Sequence, residues 1–257
     1  MEMITSNQNS KVKLTRSLMG RAKERREAQA FVAEGVRLVE DAFSAGWPFR
    51  FVLYSSDVSG RGLELVNKLS SAGVDVEEIV PNLMQSITET EHSQGILAIL
   101  EMKSSVIPEN STFILIPDQI RDPGNLGTLL RTAAAAGVDG VLIPPETADA
   151  FAPKVVRSGM GAHFRMPIQA AGWDDIRARA KDKTVYLADA GGNISCWDAD
   201  FKSKTVLIVG GEAEGASPPA RELADVILSI PMPGRMESLN AGVAGAILMF
   251  EVVRQRQ

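Results

Sequence analysis

The sequence predicts an α/β chain in two blocks: a small α/β unit over residues 1–104, then a mainly parallel, helix-covered sheet over 105–257. Three observations carry this. TFILIP (112–117) and TVLIVG (205–210) are continuous apolar runs, the pattern of strands buried on both faces. Strand patterns alternate with helix patterns throughout the second half, as in sheets with helical crossovers. Between the blocks lies EMKSSVIPENS (101–111), whose Pro, Ser and Asn content marks a linker.

In the first block, helical periodicity falls around 10–28, 35–45 and 61–72. Strand patterns fall on FVAEG (31–35), FRFVLYS (49–55), VDVEEIV (74–80) and QGILAIL (94–100). In the second, strand TFILIP leads to a helix over 126–136 and strand VDGVLIP (138–144). A helix near 151–159, strand HFRMPI (163–168) and a helix around 174–181 follow. Strands TVYLAD (184–189) and TVLIVG, a helix near 218–224, strand VILSIP (226–231) and a long helix over 239–255 complete the chain.

Composition narrows the class. No stretch reaches the roughly 18 apolar residues that span a bilayer, and MEMITSNQNSKVKL lacks the apolar core of a secretory signal. A cytoplasmic protein without a membrane partner is expected. One cysteine, Cys196, excludes an internal disulfide, and with two histidines a zinc site is not expected. The net charge of -5 hides an asymmetry: residues 11–26 carry +6 and the remainder -11. Lys11, Lys13, Arg16, Arg21, Lys23, Arg25 and Arg26 form either a phosphate-binding footprint or a solvated helical face.

Ligands of open parallel sheets sit outside the carboxyl ends of the strands, and three unusual loops leave such ends. DQIRDPGNLGTLLRTAAAAG (118–137) places Asn125 near a helix start, as an N-cap or as a ligand group. Its Arg131 is the only charge between Asp122 and Asp139, on a helix apolar enough to be packed. A buried guanidinium would need a carboxylate or a phosphate. VGGEAEGASPPA (209–220) offers Gly210 and Gly211 for close backbone approach and Glu212 as a carboxylate. IPMPGRMESLNAGVAGAILMFE (230–251) is a rigid bend, and Ser238 either caps the following helix or faces a ligand. Small residues on one side of that helix would let another backbone come close.

Neither a Walker loop nor a GxGxxG fingerprint is present. A nicotinamide dehydrogenase would need that fingerprint after TFILIP, where DQIRDPGNLG stands instead.

These three loops resemble the ordered motifs of the SpoU (TrmH-like) branch of SPOUT methyltransferases. The motifs are D-x-x-D-P-x-N-x-G-x-x-x-R-T-A (Asp118 to Ala133, with one extra residue after Asp118), G-G-E-x-x-G, and I-P-M-x-G…S-L-N. The resemblance covers about 112–257, and the first block is similar to a ribosomal-protein-like RNA-binding domain. It implies a parallel sheet with a trefoil knot, a homodimer with the site near its interface, and S-adenosylmethionine as methyl donor with no metal. The implied reaction is methylation of an RNA ribose 2′-hydroxyl, first in ribosomal RNA, with transfer RNA or a non-catalytic ribosome-assembly role as alternatives. Carried over by position, Asn125, Arg131, Glu212, Ser238 and Asn240 are the catalytic set. Gly210, Ile230 and Leu239, with Gly211, Met232 and Gly234 beside them, would hold the donor. Arg131 would organise the target phosphate; arginine keeps its proton, so a base role needs that phosphate as acceptor.

Overall fold

A computed structural model describes residues 3–89, 93–103, 106–212, 214–234 and 236–257. The omitted positions fall at the leading segment, before QGILAIL, in the expected linker (104–105), and once each in the second and third loops (213 and 235); these parts of the sequence reading lie outside the described residues. The chain forms two compact units, Met1–Ser104 with Phe151–Phe164, and Ser105–Ala150 with Arg165–Gln257.

In the first unit, α1 (Ser10–Gly20) and α2 (Ala22–Ala28) precede β1 (Ala30–Glu34), α3 (Val36–Ser44) and β2 (Phe49–Tyr54). Then come α4 (Gly60–Ser71), β3 (Val76–Glu78), α5 (Pro81–Ile87) and β4 (Ile96–Glu101). The single helix read over 10–28 is broken at Arg21, which is extended; Gly20 before it is a poor helix former. Helix α5 begins on Pro81 and was not visible as a periodicity. The sheet runs β1-β4-β2-β3, antiparallel except for the β2–β3 pair.

The second unit holds β5 (Phe113–Asp118), α6 (Pro123–Ala135) and β6 (Gly140–Ile143), then, after the excursion described below, β7 (Ile168–Ala170), α8 (Trp173–Ala180), β8 (Thr184–Ala188) and β9 (Ile194–Ser195). It ends with β10 (Thr205–Gly210), a helix (Pro218–Leu223), β11 (Val226–Ser229) and a long helix (Ala241–Gln255). Between β6 and β7 the chain contributes α7 (Pro153–Ser158) to the first unit; the last two helices are therefore α9 and α10.

Residues 151–164, read with the second block in the sequence, group with the first unit. Phe151 and His163 pack on Phe31 of β1, and Arg157 pairs with the buried Glu34 at 3.1 Å. The strand read over HFRMPI therefore starts only at Ile168; its first residues form a 3-10 turn, Ala162–Phe164.

The second sheet has seven strands in the order β7-β6-β5-β10-β8-β11-β9, all parallel. Central β5 and β10 pair from Phe113–Thr205 to Asp118–Gly210, so their carboxyl ends are level. Both are buried on both faces, as their unbroken apolar sequence demands. Helix α10 lies on α6 and β10. Its small residues serve this packing: a side chain at Gly245 would strike Leu129, and one at Gly242 would press Thr128 at 3.1 Å.

Cys196 is buried, and burial first, then the charge of Glu251, pushes its thiol up to about 11. Thiolate is the reactive form. The native protein is expected to release no chromophore from Ellman's reagent at pH 8, and one equivalent after denaturation in guanidinium. Rapid reaction of the native protein would show that this corner of the sheet opens.

Candidate active site

Two helix caps and one carboxylate build the centre of the site. Asp122, not Asn125, caps α6: its Oδ1 accepts the Asn125 N–H at 2.8 Å. This frees the Asn125 side chain, whose Nδ2 donates to Glu212 Oε1 at 2.6 Å. Asn240, not Ser238, caps α10, with its Oδ1 accepting the Val243 N–H at 3.2 Å. Its Nδ2 donates to Glu212 Oε1 and to Asn125 Oδ1, each at 2.9 Å. The Ala241 N–H, in the first turn of α10, also reaches Glu212 Oε1 at 3.1 Å. Hydrogen bonds to an ionised acceptor are the strong kind, and a helix amino end adds favourable dipole. One oxygen of Glu212 thus joins the loops after β5, β10 and β11.

Beside this cluster opens a cleft of about 850 Å³ including its mouth. Gly210, Gly211 and Glu212 line it from the end of β10, and Ile230 and Met232 from the loop after β11. Ser238 and Leu239 line it before α10. Gly234 does not, and the space around its missing side chain is empty. The sequence reading also missed the third wall, Ala188, Asp189 and Ala190 at the end of β8. Its only signal was the strand TVYLAD ending on an acid at the same sheet edge.

The glycines serve close chain approach. Any side chain on Gly211 would collide with the Gln119 carbonyl oxygen, and one on Gly210 would lie 2.8 Å from the Ala216 nitrogen. Gln119 itself is left-handed, φ 54°, a conformation costing a non-glycine residue about 1–3 kcal/mol. The Thr147 hydroxyl oxygen accepts the Gln119 N–H at 3.0 Å while donating to the Pro117 carbonyl at 2.9 Å. Asp118, 1% exposed, accepts the Ser217 N–H at 2.7 Å. It fastens β5 to the turn carrying Glu212. Burial raises its carboxyl above the ordinary value, against the lowering effect of the Ser217 bonds.

Arg131 corrects an expectation: it is exposed rather than packed, so no buried charge demands a partner. Six residues beyond Asn125, it points about 120° away from it around α6. Among the described residues it makes no hydrogen bond to the Asn125–Glu212–Asn240 cluster.

The basic segment is likewise divided. Lys11 is bound by Asp75 and Glu77, at 2.5 and 2.6 Å. Arg25 is 3% exposed and donates to the Leu18 carbonyl, so it faces inward. Lys13, Arg16, Arg21, Lys23 and Arg26 remain exposed. Among the described residues no group of three or more His, Cys, Asp or Glu side chains is arranged for a metal ion, and no helix is long and apolar enough to cross a membrane.

A parallel sheet with a glycine-lined cleft and a carboxylate–amide cluster at its strand carboxyl ends defines the class, an α/β protein with a ligand-sized site at the sheet edge. The comparisons then specify it. Residues 112–250 match the SpoU rRNA Methylase family and residues 9–98 the MRM3-like substrate binding domain. The chain is 32% identical to the 23S rRNA (guanosine(2553)-2′-O)-methyltransferase of Bacillus subtilis, over 98% of this chain and 99% of that one. It is 31% identical to the 23S rRNA (uridine(2479)-2′-O)-methyltransferase of Streptomyces viridochromogenes, over 98% and 92%. An AdoMet-bound rRNA methyltransferase from Sinorhizobium meliloti superposes with a TM-score of 0.85 at 32% identity, over 98% and 97% of the two chains. The chain belongs to the SpoU methylase family and is a SPOUT-class RNA methyltransferase that uses S-adenosylmethionine.

The glycines supply a contrast. Gly211→Ala must displace Gln119 backbone, whereas Gly234→Ala meets nothing within 4 Å. By calorimetric titration, Gly211→Ala is expected to weaken S-adenosylhomocysteine binding at least about tenfold, roughly 1.4 kcal/mol, with Gly234→Ala close to wild type. Equal affinities would show that the Gly211 approach does not shape the cleft.

Proposed function

We propose that this protein methylates a ribose 2′-hydroxyl of 23S ribosomal RNA in the cytoplasm, holding the donor in the cleft beside Glu212. The observation that carries the reading is the Glu212-centred junction forming one wall of that cleft. The cleft suits the donor: Leu228, Ile230 and Leu239 offer apolar surface for adenine, and Glu212 offers negative charge near a cationic sulfonium. The named 23S rRNA 2′-O-methyltransferases aligned over nearly the whole chain support the substrate.

The donor supplies an electrophilic methyl group; the chain supplies alignment and proton handling. Fixing two reactants in attack geometry is worth on the order of 7–11 kcal/mol. Asn125 and Asn240 hold Glu212 by Oε1, leaving Oε2 to hold the incoming nucleotide. Ser238, on the cleft wall but free of capping duty, contacts the ribose. Arg131 forks onto the target phosphate, which takes the hydroxyl proton, and its guanidinium steadies the charge gathering on the 2′-oxygen. Exposed Lys13, Arg16, Arg21, Lys23 and Arg26 neutralise RNA phosphates and make binding salt-sensitive.

The active form is read as a homodimer. Val243 and Phe250 are 48% and 49% exposed, one above the other on α10. Arg131 stands on the exposed side of the helix packed against it, so an interface there brings Arg131 to a shared site. The trefoil threading belongs to the same reading, with β10 inserted between β5 and β8.

With tritiated S-adenosylmethionine and 23S rRNA, label is expected in alkali-stable dinucleotides, because a 2′-O-methyl group blocks alkaline cleavage. Label only in mononucleotides, or only with transfer RNA, would overturn the assignment. Arg131→Ala is expected to bind S-adenosylhomocysteine normally but transfer methyl at least about 100-fold more slowly, a loss near 2.7 kcal/mol. Equal transfer would remove Arg131 from the mechanism. Sedimentation is expected to show a dimer for wild type and a monomer for Phe250→Asp; a wild-type monomer that transfers methyl would contradict the dimer.

A further inference from the structure

Among the residues lining the cleft, the acidic side chains are Glu212 and Asp189. Glu212 is taken up by the amide junction, but nothing in the mechanism uses Asp189. It follows the last residue of β8, at the same sheet edge, and its carboxylate is fixed on two sides. Oδ1 accepts the Gly191 N–H at 2.9 Å, and Oδ2 accepts from Arg221 Nη2 on α9 at 2.6 Å. Its own N–H donates to the Leu228 carbonyl of β11 at 3.0 Å. The Gly191 N–H first, and then Arg221, hold its carboxyl below the ordinary value, so it is an acceptor at working pH.

We propose that Asp189 binds the two sugar hydroxyls of the methyl donor. Each carboxylate oxygen has a lone pair left after its fixed partner, so the pair can accept two donors side by side. A vicinal diol presents two such hydroxyls. Charge selects the diol over the donor's ammonium group, because Arg221 lies against the same carboxylate and would repel a second cation. The apolar wall of Leu228 and Ile230 adjoins Asp189 and leaves adenine to apolar contact and backbone. Asp189 is thus a positioning residue for the sugar, on the part of the cleft wall at the end of β8.

The inference rests on reading the cleft as the donor site, and binding measurements separate the two. Calorimetric affinities would be taken for S-adenosylhomocysteine, its 2′,3′-dideoxy analogue and methylthioadenosine, on wild type, Asp189→Asn and Arg221→Met. Asp189→Asn is expected to weaken S-adenosylhomocysteine and methylthioadenosine alike, by about tenfold, and to leave the dideoxy analogue unchanged. Arg221→Met, which breaks the same ion pair but keeps the carboxylate, is expected to retain the preference for the diol. Equal loss for all three ligands would make Asp189 structural only. A loss confined to S-adenosylhomocysteine would assign it to the amino-acid end and overturn the proposal. Failure of wild type to bind S-adenosylhomocysteine would remove the donor-site reading and this inference with it.

Discussion

The site depends on one oxygen atom. Glu212 Oε1 receives donors from Asn125, Asn240 and the Ala241 backbone. These come from segments following β5 and β11, while Glu212 follows β10. Sequence separations of 87 and 28 residues collapse into one junction. The junction lies at the surface, where water can replace a lost partner, so its part is to join the three loops rather than to add the strength of a buried network. Through it the relative placement of the three loops is set at one point.

Around it, chain approach is closer than side chains would allow. Gly210 and Gly211 lie against the 215–216 turn and against Gln119, whose left-handed backbone is a local cost held by Thr147. Asp118 anchors the same turn from below at Ser217. Strain and close contact persist at one sheet edge because the level, doubly buried strands beneath it are rigid. That rigidity suits a site that must hold two reactants in line.

Much of this was legible in the sequence. TFILIP and TVLIVG announced buried parallel strands, and their loops carried the Asn, Glu and glycine residues that converge. What was not legible were relations between distant residues. A lone charge on an apolar helix looked buried, yet Arg131 faces solvent, because only one side of α6 packs. Asp122 and Asn240 took the capping roles that Asn125 and Ser238 also fitted, since cap identity depends on where the helix begins. Arg25 belonged to a basic run by composition but faces inward by helical phase. The excursion of 151–164 rests on packing with Phe31, more than a hundred residues earlier, which no local pattern encodes.

The most direct test is a crystal structure with S-adenosylhomocysteine bound. The ligand is expected along the wall formed by Gly210, Gly211, Ile230 and Leu239, with its sulfur turned toward the Glu212 junction. Ligand density elsewhere, or in the cleft with the sulfur turned away from Glu212, would contradict the assignment of this cluster as the methyl-transfer centre.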